Sequence, residues 1–93
     1  MDKRFHPLSQ IEQIQKRQLV LEMIRLNPDL PIHVIAKLIR NELHLTLKEM
    51  SKITKISPQT LQKLEQPNTN PTLDTMLKLL NTFGLKLVVV KKE

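Results

Sequence analysis

Apolar residues recur along this chain at helical spacing in several blocks, and the chain ends in a block of a different period. The first block, residues 8–26, opens with Ser9 as a cap and Glu12 in the first turn. It carries Ile11, Ile14, Leu21 and Ile24 on one stripe, which Leu19, Val20, Met23 and Leu26 widen to more than one face. A helix of that kind has two sides to bury, so it is expected to pack on the body and on something further. Asn27-Pro28 ends it, and Pro28 with Pro31 makes a stiff connector. A second helix is predicted over residues 32–43, with Ile35, Leu38, Ile39 and Leu43 on one face and His44-Leu45 as the joint beyond it. The last helical block follows a turn-forming loop, QPNTNP. Thr72 caps it, Leu73, Met76, Leu77, Leu80 and Phe83 form its apolar face, and Gly84 closes it at C′ with Leu85 placed for the apolar contact.

The middle of the chain, TLKEMSKITKISPQTLQKLEQ, contains two complete helix starts. At the first, Thr46 and Glu49 have the spacing of a capping box, flanked by Leu45 and Met50 at staple positions. At the second, Ser57 caps, Pro58 occupies N1, and Ile56 and Leu61 supply the staple. Between the starts there is room for a helix of about two turns and a turn of about three residues. Two short helices joined so tightly cannot lie antiparallel. They must cross steeply, the geometry of a helix-turn-helix, and this is the element expected to meet DNA.

The ending LKLVVVKK alternates. Leu85, Leu87 and Val89 fall on one face and Lys86, Val88 and Val90 on the other, and the β-branched content suits a strand. A lone strand in an otherwise helical chain has no partner. The simplest remedy is the same strand from a second copy, paired antiparallel across a two-fold axis, so a homodimer is expected; the other reading of the segment is a frayed apolar tail.

Composition narrows the classes. A 93-residue chain is one small domain that buries roughly 60–65% of its unfolded surface, a marginal core unless a partner adds to it. Fifteen Lys and Arg against nine Asp and Glu give a net charge of +6, which favours an anionic partner. A single glycine excludes glycine-rich phosphate loops, and the absence of Trp and Tyr argues against the stacking platforms of single-strand binders. Without cysteine there is no disulfide or thiol nucleophile. The histidines, His6, His33 and His44, are spread out and lack carboxylates at ligand spacing, so no catalytic or metal residues and no cofactor are expected, and the chain does not read as an enzyme. No apolar run reaches membrane-spanning length and no signal-peptide core is present, so a cytoplasmic location without membrane association is expected.

From Val34 to about Gly84 the chain resembles the Cro/repressor type of helix-turn-helix domain. LTLKEMSKITKIS corresponds to the scaffold helix and turn, SPQTLQKLE to the recognition helix, and NPTLDTMLKLL to the closing helix. The fold this implies is all-α, a multi-helix domain over residues 32–84. It is preceded by a basic arm, an extra helix and a connector over 1–31 and followed by a short β-strand for dimer pairing over 85–93. The ending FGLKLVVV is similar, more narrowly, to that of HipB-type antitoxins, dimeric operator binders that pair terminal strands and also bind a HipA-like kinase toxin.

By position, the resemblance makes Gln59 and Lys63 base readers, with Gln62 and Thr60 secondary, and the chemistry agrees. Gln can pair bidentately with adenine N6 and N7, and Lys donates to guanine O6 and N7. Thr46, Lys48, Ser57 and Gln66 fall where the family touches phosphates. Arg40 and Glu65 occupy positions of a buried ion pair. Leu47, Lys55 and Pro67 depart from the family pattern. Leu47 offers a duplex only methyl contact. Lys55 stands at a turn position usually held by glycine and must either adopt the left-handed region or change the turn. Pro67 introduces a loop without Lys or Arg. Ile53 places an apolar side chain at a usually polar position, a hint of a protein partner. The function implied is a sequence-specific repressor on a double-stranded DNA operator, serving as the antitoxin of a kinase toxin. The alternatives are a protein-interaction adaptor of the same fold and a phage-type repressor without a toxin.

Overall fold

Four of the five helices start on a side-chain cap for orphan N–H groups, the one that follows Pro31 having none, and helix ends fall where the backbone turns left-handed or a proline lies close beyond. The computed structural model describes residues 8–92, and the basic arm expected over 1–7 lies outside them. Five helices follow in order: α1 Gln10–Leu26, α2 Ile32–Glu42, α3 Leu47–Thr54, α4 Pro58–Leu64 and α5 Leu73–Thr82. A full capping box opens α1, Glu12 N–H donating to Ser9 Oγ (3.2 Å) and Ser9 N–H to Glu12 Oε1 (2.9 Å), which sets its start two residues later than the apolar pattern suggests. Thr46 and Glu49 repeat the arrangement at α3, at 3.1 and 2.9 Å. Ser57 caps α4 with Pro58 at its first position, and Thr72 caps α5.

Two helix ends close by the same device. After α5, Gly84 (φ 76°) lets Leu85 N–H donate to Leu80 O at 2.8 Å and its own N–H to Asn81 O at 3.2 Å, a Schellman motif. After α2 the left-handed residue is His44 (φ 54°), with Leu45 N–H on Arg40 O at 3.0 Å and His44 N–H on Asn41 O at 3.2 Å. Nothing in the sequence marks that second motif, because glycine is its usual signal.

All five helices contribute to one core: Val20, Ala36, Ile39, Leu43, Met50, Ile56, Leu61, Leu64, Leu79 and Phe83. The face of α5 differs from the one predicted. Leu79 is wholly buried while Leu73 is 59% exposed, so the buried line runs through Leu79, Leu80 and Phe83. Leu73 is the first helical residue and projects past the core, which its spacing alone cannot reveal.

Helix α1 is attached largely by polar contacts. Val20 is its one buried residue, with Ile24 packed beside the core. Gln13 Nε2 donates to Leu43 O (2.9 Å) at the C-terminal end of α2. Arg17 Nη2 donates to Thr82 O (2.8 Å) at the end of α5, with its guanidinium 5.4 Å from the Phe83 ring centre. Both side chains satisfy helix-end carbonyls that have no partner within their own helix. Lys16 adds an ion pair to Glu42 at 3.5 Å. Ile11, Ile14, Leu19 and Leu26 remain exposed.

The terminal strand is not formed. Among the described residues there is no strand, and residues 85–92 have no regular structure. A β-ladder needs the N–H and C=O groups of a neighbour, and a chain otherwise committed to helices has none to offer. The expectation of a C-terminal strand is therefore corrected for the single chain, whose fold is all-α.

Left-handed backbone at a non-glycine residue costs about 1–2 kcal/mol. Lys55 adopts φ 66° and ψ 25° directly after α3. Lys55→Gly should therefore raise stability by up to about 1 kcal/mol, allowing for the greater freedom glycine loses on folding. Gly84→Ala should lower it by about 1 kcal/mol through backbone strain alone, since a Cβ there would meet nothing within 4 Å. Thermal denaturation followed by circular dichroism reads both. Destabilisation by Lys55→Gly would show that the lysine side chain itself supports the turn.

Candidate nucleic-acid interface

Between α3 and α4 the chain has three residues, Lys55, Ile56 and Ser57, in which to turn. Ile56 is buried, Lys55 supplies the left-handed step, and Ser57 starts the next helix. Thr54 braces the turn from inside. Its buried hydroxyl donates to Met50 O (2.7 Å) and accepts from Ile56 N–H (3.3 Å). Sequence reasoning passed over this residue, although a threonine ending a helix beside a turn is a local side-chain-to-backbone signal.

With the turn held, α4 buries Leu61 and Leu64 and turns the opposite face outward. Gln59, Gln62 and Lys63 are exposed at spacings of three or four, so they share that face, and Gln66 is exposed just beyond the end of the helix. Within the described residues no hydrogen bond or ion pair ties up the side chains of Gln59, Gln62 or Lys63. Thr60 is half-buried, and its hydroxyl accepts from Ser57 Oγ (2.9 Å). Because Ser57 spends its hydroxyl hydrogen there, the outward donor of the pair is Thr60 rather than Ser57. Thr46 and Lys48 are exposed at the start of α3; Thr46 Oγ1 accepts its capping bond, so its hydroxyl hydrogen stays available.

The exposed face of α4 runs into an open cleft of about 470 Å³ between α4 and the start of α5, lined by Thr60, Lys63, Gln66, Asn68, Asn70 and Thr75 among others. No carboxylate lines it. The loop through Pro67 lacks basic residues, but it presents amides and hydroxyls beside Lys63, groups suited to anionic oxygens. Leu47 is half-buried and packs against the core, which accounts for leucine there, whereas Ile53 stands exposed on α3. Among the described residues no group of three or more His, Asp or Glu is placed to hold a metal ion, and no helix is long and apolar enough to cross a membrane.

Behind this face, Arg40 of α2 grips Glu65 at the end of α4. Nε donates to Oε2 at 2.6 Å and Nη2 to Oε1 at 2.9 Å, a two-pronged pair, and Nη1 reaches Leu45 O at 3.3 Å. The Arg40 and Glu65 side chains are 22% and 11% exposed, so the pair is largely but not wholly out of water. The hydrogen bond to Glu65 holds the Arg40 guanidinium above its ordinary pKa. One side chain thus links α2, the left-handed joint after it and the far end of α4.

Removing Arg40 leaves the Glu65 carboxylate largely desolvated and unpaired. Arg40→Ala should destabilise by about 2–4 kcal/mol, somewhat below the full value for a buried pair. The exposed Lys37→Ala should change stability by less than about 0.5 kcal/mol. For a domain this size the contrast is a fall in Tm of about 8 °C or more against one of about 2 °C. Similar melting of the two variants would mean that the ion pair contributes nothing.

A family model described as helix-turn-helix matches residues 37–90, more than half of the chain. The matched region includes the end of α2, all of α3, the turn, α4 and α5, and leaves α1 outside. No curated protein and no solved structure gives a match. With a braced three-residue turn, a second helix whose polar face points outward and a family match across both, this chain belongs to the helix-turn-helix family.

Proposed function

We propose that the protein is a sequence-specific repressor that reads a double-stranded DNA operator with α4 and acts as a homodimer. The observation that supports it most directly is the outward face of α4, where the exposed Gln59 and Lys63 stand one turn apart and the cleft that Lys63 lines contains no carboxylate. Gln59 is suited to adenine and Lys63 to guanine, with Gln62 and Thr60 alongside. Thr46, Lys48, Ser57 and Gln66 hold the backbone, Ser57 through its contact with Thr60. Two linked heads are needed because operator half-sites lie about 34 Å apart on one side of the duplex.

The apolar outer residues of α1, which lie beyond the family match, favour a second role toward a protein partner. The partner we assign is a HipA-like kinase toxin, which would make the protein the antitoxin and autorepressor of a two-gene module. An adaptor that binds its partner with little DNA affinity would use the same surface.

Titration of cognate and scrambled duplexes at several salt concentrations separates these readings. Gln59→Ala should lose about 1–3 kcal/mol on the cognate duplex and little on the scrambled one. Lys48→Ala should weaken both alike and reduce the salt slope by about one. Equal losses on both duplexes for Gln59→Ala would remove it as a base reader, and no binding by the parent protein at about 100 mM salt would favour the adaptor.

A further inference from the structure

Lys55 stands in the left-handed region, where a side chain costs stability and glycine would not. The turn is held without that side chain. Thr54 braces it from within, its hydroxyl donating to Met50 O at 2.7 Å and accepting from Ile56 N–H at 3.3 Å, and the buried Ile56 anchors it to the core. The Lys55 side chain is exposed, and among the described residues no carboxylate pairs with it. Backbone strain of this kind collects at residues that bind something.

The second observation is the place of Lys55 on α3. Met50 and Thr54, one turn apart, mark the inward face of that helix, and Lys48 and Lys52, also one turn apart, are exposed on the opposite one. Lys55 N–H donates to Ser51 O at 2.9 Å, so its Cα still follows the helical path, three residues beyond Lys52. The three lysines form a row about 10 Å long, running from the start of α3 to the turn that leads into α4. Glu49 is the single carboxylate of α3, and its Oε1 already accepts from Thr46 N–H at 2.9 Å. The row is therefore exposed, cationic and uncompensated.

We propose that Lys55, with Lys52 before it, binds phosphates of the DNA strand bordering the groove that α4 enters, and that lysine occupies the strained position for that contact. The inference rests on the reading that α4 meets a duplex. It extends the backbone contact from the start of α3 along the whole helix, through a residue that departs from the glycine usual at this turn. Phosphate contacts carry no sequence information, so the row adds affinity and fixes how α4 lies, leaving base choice to Gln59 and Lys63. It also offsets the loop through Pro67, which has no Lys or Arg to offer.

Stability and binding are expected to move in opposite directions, which separates this role from a structural one. Lys55→Gly should melt higher than the parent in circular dichroism. It should nevertheless bind cognate and scrambled duplexes roughly tenfold more weakly at about 100 mM salt, with the salt slope reduced by about one. Lys55→Gln keeps the strain and loses the charge, so it should show the same binding loss with no gain in Tm. Lys55→Arg should retain both the affinity and the slope. Adding Lys52→Ala to Lys55→Gly should lower the slope by about one more. If the parent binds DNA and Lys55→Gly keeps its affinity and slope, the inference is overturned and the reading of α4 stands. A loss no larger than that from Lys37→Ala, which removes the same charge from α2, would overturn it by showing that net charge alone matters. A loss in Lys55→Gly that Lys55→Gln does not share would overturn it in favour of a loosened turn. A parent that binds neither duplex would overturn the reading of α4 and the inference with it.

Discussion

A chain that must leave one helix and enter the next within three residues cannot run back alongside itself, and the rest of this domain is arranged around that restriction. Lys55 takes the left-handed step, Ile56 is driven inward, and Ser57 has to be a cap. Such a turn is poor in local hydrogen bonds, so it needs support from both sides. Thr54 gives it from within, binding the carbonyl behind and the N–H ahead. Arg40 gives it from outside by clamping the far end of α4 through Glu65. The outward face of α4 is then a consequence, since Leu61 and Leu64 are held in the core and Gln59 and Lys63 have nowhere else to point.

The same logic explains why α1 is attached as it is. Its buried apolar contact is small, and what fastens it are Gln13 and Arg17, which satisfy carbonyls at the ends of α2 and α5. That leaves much of its apolar surface in water, in a region beyond the matched family model. The helix contributes to the domain while presenting a face the domain does not use. Separation of surfaces follows: α4 carries amides and a lysine toward one side, while α1 and the tail carry aliphatic side chains elsewhere.

Much of this was legible in the residues and some was not, for physical reasons. Helix starts were readable because capping is local chemistry: Thr46 with Glu49, Ser57 with Pro58, Thr72 with its own first turn. Gly84 announced the end of α5 because glycine is the cheapest residue in the left-handed region. His44 gave no such notice, since a residue that carries a side chain is not the usual signal of a left-handed helix end. Leu79 and Leu73 could not be told apart by period, because only the position of the core along α5 decides which is covered. The roles of Gln13, Arg17 and Thr54 depend on partners brought close by the fold. The alternation of the tail pointed to a strand that is not there, because period alone does not supply the backbone partner a strand requires and residues 85–92 have no regular structure.

The account turns on α4 being the surface that meets DNA while α1 stays clear of it. Amide chemical shifts of the labelled protein, followed during titration with a duplex from just upstream of its own gene, test that division directly. The largest changes are expected from Thr46 to Lys48, from Ser57 to Lys63 and in the loop through Asn68 and Asn70, with the outer residues of α1 unmoved. Changes concentrated on Ile11, Ile14, Leu19 and Leu26, with Gln59 and Lys63 unaffected, would contradict it.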